Sequence, residues 1–295
     1  MLLRRSVLAA AVLMLAGPAF AQDKLKVVAT FSILADFVKA VGGERVDVKA
    51  LVGPNSDAHV YQTTPGDAKT LADAKVVFVN GLGFEGWIAR LVKASGTRAA
   101  MVVATKGVKP RKADDDHGHG DADPHAWQSV ANAKIYAGNI RDALVAADPA
   151  GKDIYETNAT AYLAKLDALD AAVKTAVAAI PPDRRRIITT HDAFGYFGAA
   201  YGVAFIAPQG VSTESEVSAK DVAKIITQIR KQKIPAVFLE NVTDERLLKR
   251  IGEEGGARIG GTLYSDALTD EKGPAPTYLD MMRHNVRQLA TALTG

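Results

Sequence analysis

The chain alternates short apolar runs with longer stretches in which apolar residues recur every three or four positions. LKVVAT (25–30), residues 46–52, VVFV (76–79) and residues 99–104 read as strands. Residues 33–41, 65–73 and 85–94 read as the helices between them. Near-continuous apolar strands alternating with helices predict a parallel sheet covered on both faces. The second half repeats the order, with strands at 186–190, 203–207, 236–239 and 258–264. Helices are predicted at 193–201, 219–231, 244–254 and 276–293.

Between the halves, Tyr155, Ala159, Tyr162, Leu163, Leu166, Leu169, Val173, Val177 and Ile180 mark the apolar face of a helix over residues 151–180. Pro181-Pro182 stops it. At 1.5 Å per residue such a helix spans ~45 Å. It is either a surface helix of one large domain or a strut between two lobes. The fold class expected is α/β, two similar parallel-sheet lobes joined by one long rigid helix. The expected divisions are a signal peptide at 1–21, a lobe at 22–150, the helix at 151–181 and a lobe at 182–295.

The first 21 residues stand apart from the fold. Arg4-Arg5, a short apolar run and Ala19-Phe20-Ala21 have the form of a secretory signal, which predicts a periplasmic location. No cysteine follows, which excludes lipid attachment at a new N-terminal Cys. Loss of Arg4 and Arg5 leaves 34 basic against 33 acidic residues. That balance, with 6% aromatics, argues against nucleic acid as a partner. With no thiol, any metal site must use His, Asp, Glu or backbone oxygens.

Metal-capable side chains follow four of the strands: His59, His125, His191 and Asp266. Ligands of open α/β sheets bind beyond the carboxyl ends of the strands. If the lobes face each other, two histidines from one meet a histidine and an aspartate from the other. Three imidazoles and a carboxylate complete a four-coordinate site for a divalent ion. Taken singly, each of these residues reads more readily as a solvated or capping group than as a ligand; four at equivalent places in the topology favour the ligand reading.

Other patterns compete. In HGHGDADPH, His117, His119 and Asp121 approach the HxHxDH motif of zinc hydrolases of the metallo-β-lactamase type, but Ala122 stands where a His is required. Gly81-Leu-Gly-Phe-Glu-Gly86 matches a dinucleotide turn, yet no acid lies between Glu85 and Asp114 to hold a ribose. A tight structural turn is the better reading. Glu214 and Glu216 are candidates to brace a ligand imidazole, and Asp192 to cap a helix. His284 reads as a packing or surface residue.

The stretches PNSDAHVYQTTPGD (54–67), VNGLGFEGW (79–87), DPHAW (123–127), THDAFGYFGAAYG (190–202), QGVSTESEVSAKD (209–221), LYSDAL (263–268) and YLDMMRHN (278–285) run through both halves. Together they resemble the cluster A-I solute-binding proteins of zinc and manganese ABC transporters. The resemblance implies two lobes joined by one long helix, with the metal between them. It implies the ligands His59, His125, His191 and Asp266, the set reached above. The expected function is capture of a divalent metal ion, Zn²⁺ with Mn²⁺ as the alternative, and delivery to a membrane ABC permease, without enzymatic activity. A monomer is expected, and a periplasmic metal chaperone is admitted as a further partner. The family often carries a His- and acid-rich loop before the second ligand. Here it is short, residues 114–123, with His117 and His119 as an accessory capture point or, equally, as a solvated acidic loop.

Overall fold

The computed structural model describes residues 23–113, 122–214 and 217–294. The signal sequence, His117, His119 and Glu216 lie outside these residues. The first lobe is built from β1 (Leu25–Phe31), α1 (Ser32–Gly42), β2 (Val46–Val52), α2 (Pro65–Asp73), β3 (Val76–Val79), α3 (Ile88–Ser95) and β4 (Ala100–Val103). Its four strands are parallel in the order β2-β1-β3-β4. The central strands β1 and β3 are the apolar runs of the sequence, and Val27, Val28, Val76, Val77 and Phe78 are buried.

After α4 (Val130–Ala147) and α5 (Lys152–Ala178) the pattern returns. It continues with β5 (Arg186–Ile188), α6 (Gly195–Tyr201), β6 (Ala204–Ile206), α7 (Ala219–Gln232), β7 (Ala236–Glu240), α8 (Glu245–Gly255), β8 (Arg258–Leu263) and α9 (Tyr278–Thr294). The second sheet is also parallel, in the order β6-β5-β7-β8. The two lobes therefore share one topology, each with its order reversing beside the first strand of the lobe. The cleft at such a reversal, beyond the strands' carboxyl ends, is where an α/β sheet takes its ligand.

Several element boundaries shift by one to three residues from the sequence reading, the largest at α3, which begins at Ile88, and two further departures have a physical cause. Helix α4 was not anticipated. Its buried stripe is Val130, Ala133, Tyr136, Ala137, Ile140 and Leu144, and the alanines give it little apolar contrast. Strand β5 ends at Ile188 rather than at residue 190, because the N–H groups of Thr190 and His191 donate to the Glu240 carboxylate instead of to a strand.

The lobes do not have separate cores. One apolar cluster runs from β1 and α1 through α4 and α5 to α9, and a smaller one lies between β7, α7 and α8. Long helix α5 packs against α4, α1 and α9. Helix α9 also touches α1, where the Tyr278 N–H donates to Asp36 Oδ2 at 2.9 Å. Such packing opposes free hinging about α5.

Burial pushes the Asp36 carboxyl up to about 6, against the hydrogen bond from Tyr278 and the charge of Lys39, which lower it. The folded state thus holds a proton that the unfolded chain has already released at pH 5. The stabilisation is full below the unfolded value near 4 and is lost as pH rises through about 6. Asp36→Asn is expected to remove this slope and to stabilise the protein at pH 7.5 by on the order of 2 kcal/mol. Urea unfolding midpoints of both proteins at pH 5 and 7.5 measure it, and equal slopes would contradict it.

Candidate metal centre

The first histidine lies in the turn after β2. Asp57 Oδ1 accepts the His59 N–H at 2.8 Å, and the Trp87 indole donates to the Ala58 carbonyl at 2.8 Å. Further on, Tyr61 donates to Asp67 Oδ2 at 2.9 Å. Asp67 forms a reciprocal capping box with Thr64, and Pro65 opens α2. The segment around His59 is thus tied to a helix and to the core.

His125 sits in DPHAW. Asp123 Oδ1 accepts the His125 backbone N–H at 2.9 Å and lies 2.9 Å from its ring Nδ1. Asn80 Nδ2 donates to the Pro124 carbonyl at 2.9 Å. Trp127 is wedged against Phe31, Phe84 and the His125 ring, with centroids 4.9, 5.0 and 5.3 Å away. Its indole N–H and the Gln128 amide reach across to the Ser265 carbonyl, at 2.9 and 2.8 Å. The residue before Asp266 is therefore held by the opposite lobe.

His191 follows β5. Glu240, at the end of β7, accepts the N–H groups of Thr190 and His191 on Oε1, at 2.7 and 3.0 Å. Its Oε2 lies 2.7 Å from His191 Nδ1, out of line for a hydrogen bond. Asp266 follows β8, whose end is clamped by Asn285 of α9 through the N–H and carbonyl of Tyr264.

These four side chains converge. One donor atom from each of His59, His125, His191 and Asp266 lies within 4.8 Å of all the others. Asp266 Oδ2 is 3.1 Å from His191 Nε2 and 3.3 Å from His59 Nε2, while Oδ1 is 3.5 Å from His125 Nε2. The His59 and His125 Nε2 atoms are 3.3 Å apart. The His125, His191 and Asp266 side chains are fully buried and that of His59 is 4% exposed. Asp266 Oδ1 is buried without a hydrogen-bond donor among the described residues. A buried acceptor left unpaired costs free energy unless something binds it.

The field at this cluster favours positive charge. Burial lowers the pKa of all three imidazoles. At His125 the carboxylates of Asp266 and Asp123 outweigh it and hold the ring up to about 9. At His191, Glu240 and Asp266 do the same. At His59 burial prevails over Asp266, with His125 and His191 adding to the lowering. Asp266 is held well below the usual carboxylate range, because the charges of His191 and His125 overcome its burial. Three buried carboxylates, Asp123, Glu240 and Asp266, thus face three imidazoles. A divalent cation would meet inward nitrogens and oxygens, backed by carboxylates that orient the rings.

The sequence of the whole chain bears on what this cluster belongs to. Residues 27–292 match the family described as zinc-uptake complex component A, periplasmic. The chain belongs to this family. Members are metal-binding substrate-binding components of ABC transporters, extracytoplasmic receptors rather than enzymes, so the hydrolase reading falls. The chain is 35% identical over 285 residues to the iron-binding protein YfeA of Yersinia pestis, covering 97% of this chain and 91% of that one. It is 34% identical over 277 residues to the manganese ABC transporter substrate-binding lipoprotein PsaA of Streptococcus pneumoniae, covering 92% and 89%. The solved periplasmic zinc-binding protein TroA of Treponema pallidum superposes with a TM-score of 0.87 at 31% identity, over 92% of this chain and 100% of that one. Among the described residues no helix is long and apolar enough to cross a membrane.

Of the remaining sequence expectations, those for Glu214 and Asp192 are corrected and those for the Gly81–Gly86 turn and His284 hold. Glu214 is exposed and its backbone N–H reaches Ser212, so it braces no ligand ring. The carboxylates that lie against the clustered rings are Asp123, at His125 Nδ1, and Glu240, at His191 Nδ1. For Asp123 the signal was the Asp-x-His spacing; Glu240 is 49 residues from His191 and left none. Asp192 does not cap α6, whose N-cap is Phe194 without a side-chain hydrogen bond. The turn at Gly81–Gly86 is structural: Gly81, Leu82 and Gly83 have positive φ, and buried Glu85 accepts from Thr30 and from the N–H groups of Asn80 and Gly81. His284 packs on Tyr264 with its Nε2 3.1 Å from the Thr262 carbonyl.

Proposed function

We propose that this receptor takes Zn²⁺ as its cargo and holds it on Nε2 of His59, His125 and His191 and on the Asp266 carboxylate. The reading includes the division into lobes at 22–150 and 182–295 with the helix of 151–181 between them, export to the periplasm, action as a monomer and delivery to a membrane permease. One observation carries it: four donor atoms from both halves of the chain within 4.8 Å of one another. Three imidazoles favour zinc over manganese by the usual affinity order. A centre closed by four protein side chains is suited to carriage. Because the imidazoles must be neutral to bind, affinity falls in mild acid.

Manganese is the second reading, and a specific feature favours it. Both oxygens of Asp266 face imidazole nitrogens, so the carboxylate can offer two oxygens and raise the coordination number. Harder cations prefer that arrangement. The relatives named above are described for iron, manganese and zinc in turn.

Metal analysis of protein purified without added metal, followed by zinc and manganese competition in calorimetry, tests the reading. One zinc per chain that excess manganese does not displace is the expected result. Manganese that outcompetes zinc would transfer the site to the second reading, and no stoichiometric metal would end both. Zinc at ~1,000 times its dissociation constant contributes ~4 kcal/mol to the folded state. The midpoint of thermal unfolding is then expected to rise by about 8 °C and to fall back with chelator.

A further inference from the structure

The buried cluster must open for an ion to leave, and the structure shows where the lobes are fastened beside it. Thr213, in the loop after β6, donates its hydroxyl to Asp57 Oδ2 at 2.6 Å. Asp57 lies in the loop after β2, the strand that occupies in the first sheet the edge that β6 occupies in the second. The two equivalent loops thus meet across the cleft. The same carboxylate accepts the His59 N–H on its other oxygen at 2.8 Å.

On the far side the chain of contacts reaches His191. Gln209 Nε2 donates to the Thr213 carbonyl at 2.8 Å. The Gln209 N–H donates to the Thr190 carbonyl at 3.3 Å, and its carbonyl accepts the Asp192 N–H at 3.2 Å. Backbone that carries one imidazole is therefore tied to backbone that carries another, from the opposite lobe, through one hydroxyl–carboxylate bond. An open cleft of about 520 Å³ reaches this bond from solvent, and its walls include Asp57, Thr190, Gln209, Thr213, Glu214 and Asp244. Other contacts join the lobes near the site: Trp127 and Gln128 on the Ser265 carbonyl, the Asn55 N–H on the Leu268 carbonyl, the Leu268 N–H on Ser32 Oγ, and Asn241 Nδ2 on Asn55 Oδ1 at 3.4 Å.

We propose that the Asp57–Thr213 hydrogen bond is a strap across the mouth of the cleft that sets how fast the bound cation is released, without supplying a ligand. Breaking it removes a direct tie between the His59 loop and the loop after β6 while the four donors and the contacts of Asn55, Trp127, Gln128 and Ser32 remain. A bond of this kind to an ionised acceptor is strong enough to change an opening rate by about tenfold. The strap rests on the metal-binding reading above.

The test is stopped-flow transfer of metal from the loaded full-length mature protein to an excess of a chromogenic chelator. Wild type, Thr213→Val, Thr213→Ser and Asp57→Asn are compared, and the visible spectrum of the Co²⁺-loaded forms monitors the ligand set. Thr213→Val is expected to release zinc about tenfold faster than wild type, with an unchanged cobalt spectrum. Thr213→Ser should restore the slow rate, and Asp57→Asn should accelerate release in the same direction. Release from Thr213→Val within twofold of wild type would overturn the strap, as would an altered cobalt spectrum. Wild type that takes up neither cobalt nor zinc would overturn the metal-binding reading itself, a result distinct from failure of the strap alone.

Discussion

Asp266→Ala is expected to weaken zinc binding by ~100-fold or more, the largest effect of any single substitution considered. Four protein ligands sharing a binding free energy of ~12 kcal/mol contribute ~3 kcal/mol each on average, a factor of ~100. Asp266 should exceed the average. It is the one anion among the four donors, it lies within 3.5 Å of Nε2 of all three histidines, and it is fully buried. Its removal would leave a divalent charge facing neutral nitrogens in a water-poor site, where charge compensation counts for more than at the surface.

The variant should still fold. Ser265 is held by Trp127 and Gln128, and Tyr264 by Asn285, all through backbone atoms that the substitution leaves in place. Asp266→Asn keeps an oxygen donor and the shape but not the charge, so it should fall between wild type and alanine. Calorimetric titration with competing chelator, beside circular dichroism spectra, makes the measurement. Binding by Asp266→Ala within threefold of wild type would show that this carboxylate is not a ligand.

The reasons Asp266 could be singled out from sequence, and Glu240 could not, mark how far the sequence was legible. The parallel sheets were readable because β1, β3 and β7 are buried on both faces and so are apolar at nearly every position. The long helix was readable because α5 buries residues at steps of three and four between polar ones. The four clustered donors lay just beyond strand ends, where topology concentrates binding groups. Helix α4 escaped because alanine and glycine weaken its contrast. The orienting carboxylates divide likewise. Asp123 stands two residues from its histidine, a local relation. Glu240 reaches His191 only because β7 lies beside β5 in the sheet, and strand order is a tertiary fact. The shared core was equally hidden, since nothing local says that α9, the last helix, packs against α1 and α5.

Glu240→Gln is expected to weaken zinc binding by ~10- to 100-fold, the usual range for a group that orients a ligand histidine. The position of the His191 ring proton decides the effect. Nε2 faces Asp266 at 3.1 Å, so binding a cation there requires Nε2 to be free and the remaining proton to sit on Nδ1. Glu240 Oε2, 2.7 Å from Nδ1, can only accept, and a small rotation of the ring aligns the two. The carboxylate therefore selects the tautomer that leaves Nε2 unprotonated.

A glutamine at 240 can keep its carbonyl oxygen where Oε1 accepts the Thr190 and His191 N–H groups. Its NH₂ then points at Nδ1 and donates, which moves the ring proton to Nε2, the atom the cation needs. Turning the amide over restores the tautomer but sets the NH₂ against two backbone donors. Either arrangement opposes binding, and the first leaves a signature that simple loss of packing would not produce. Nitrogen-15 spectra of histidine-labelled, metal-free protein, recorded at a pH alkaline enough to neutralise the His191 ring, should show it passing from the Nδ1–H to the Nε2–H form in the variant. Glu240→Asp, which keeps the charge on a shorter side chain, should retain the Nδ1–H form and recover part of the affinity. An unchanged tautomer together with wild-type affinity in Glu240→Gln would remove the orienting role and leave Glu240 as an anchor for the backbone at the end of β5.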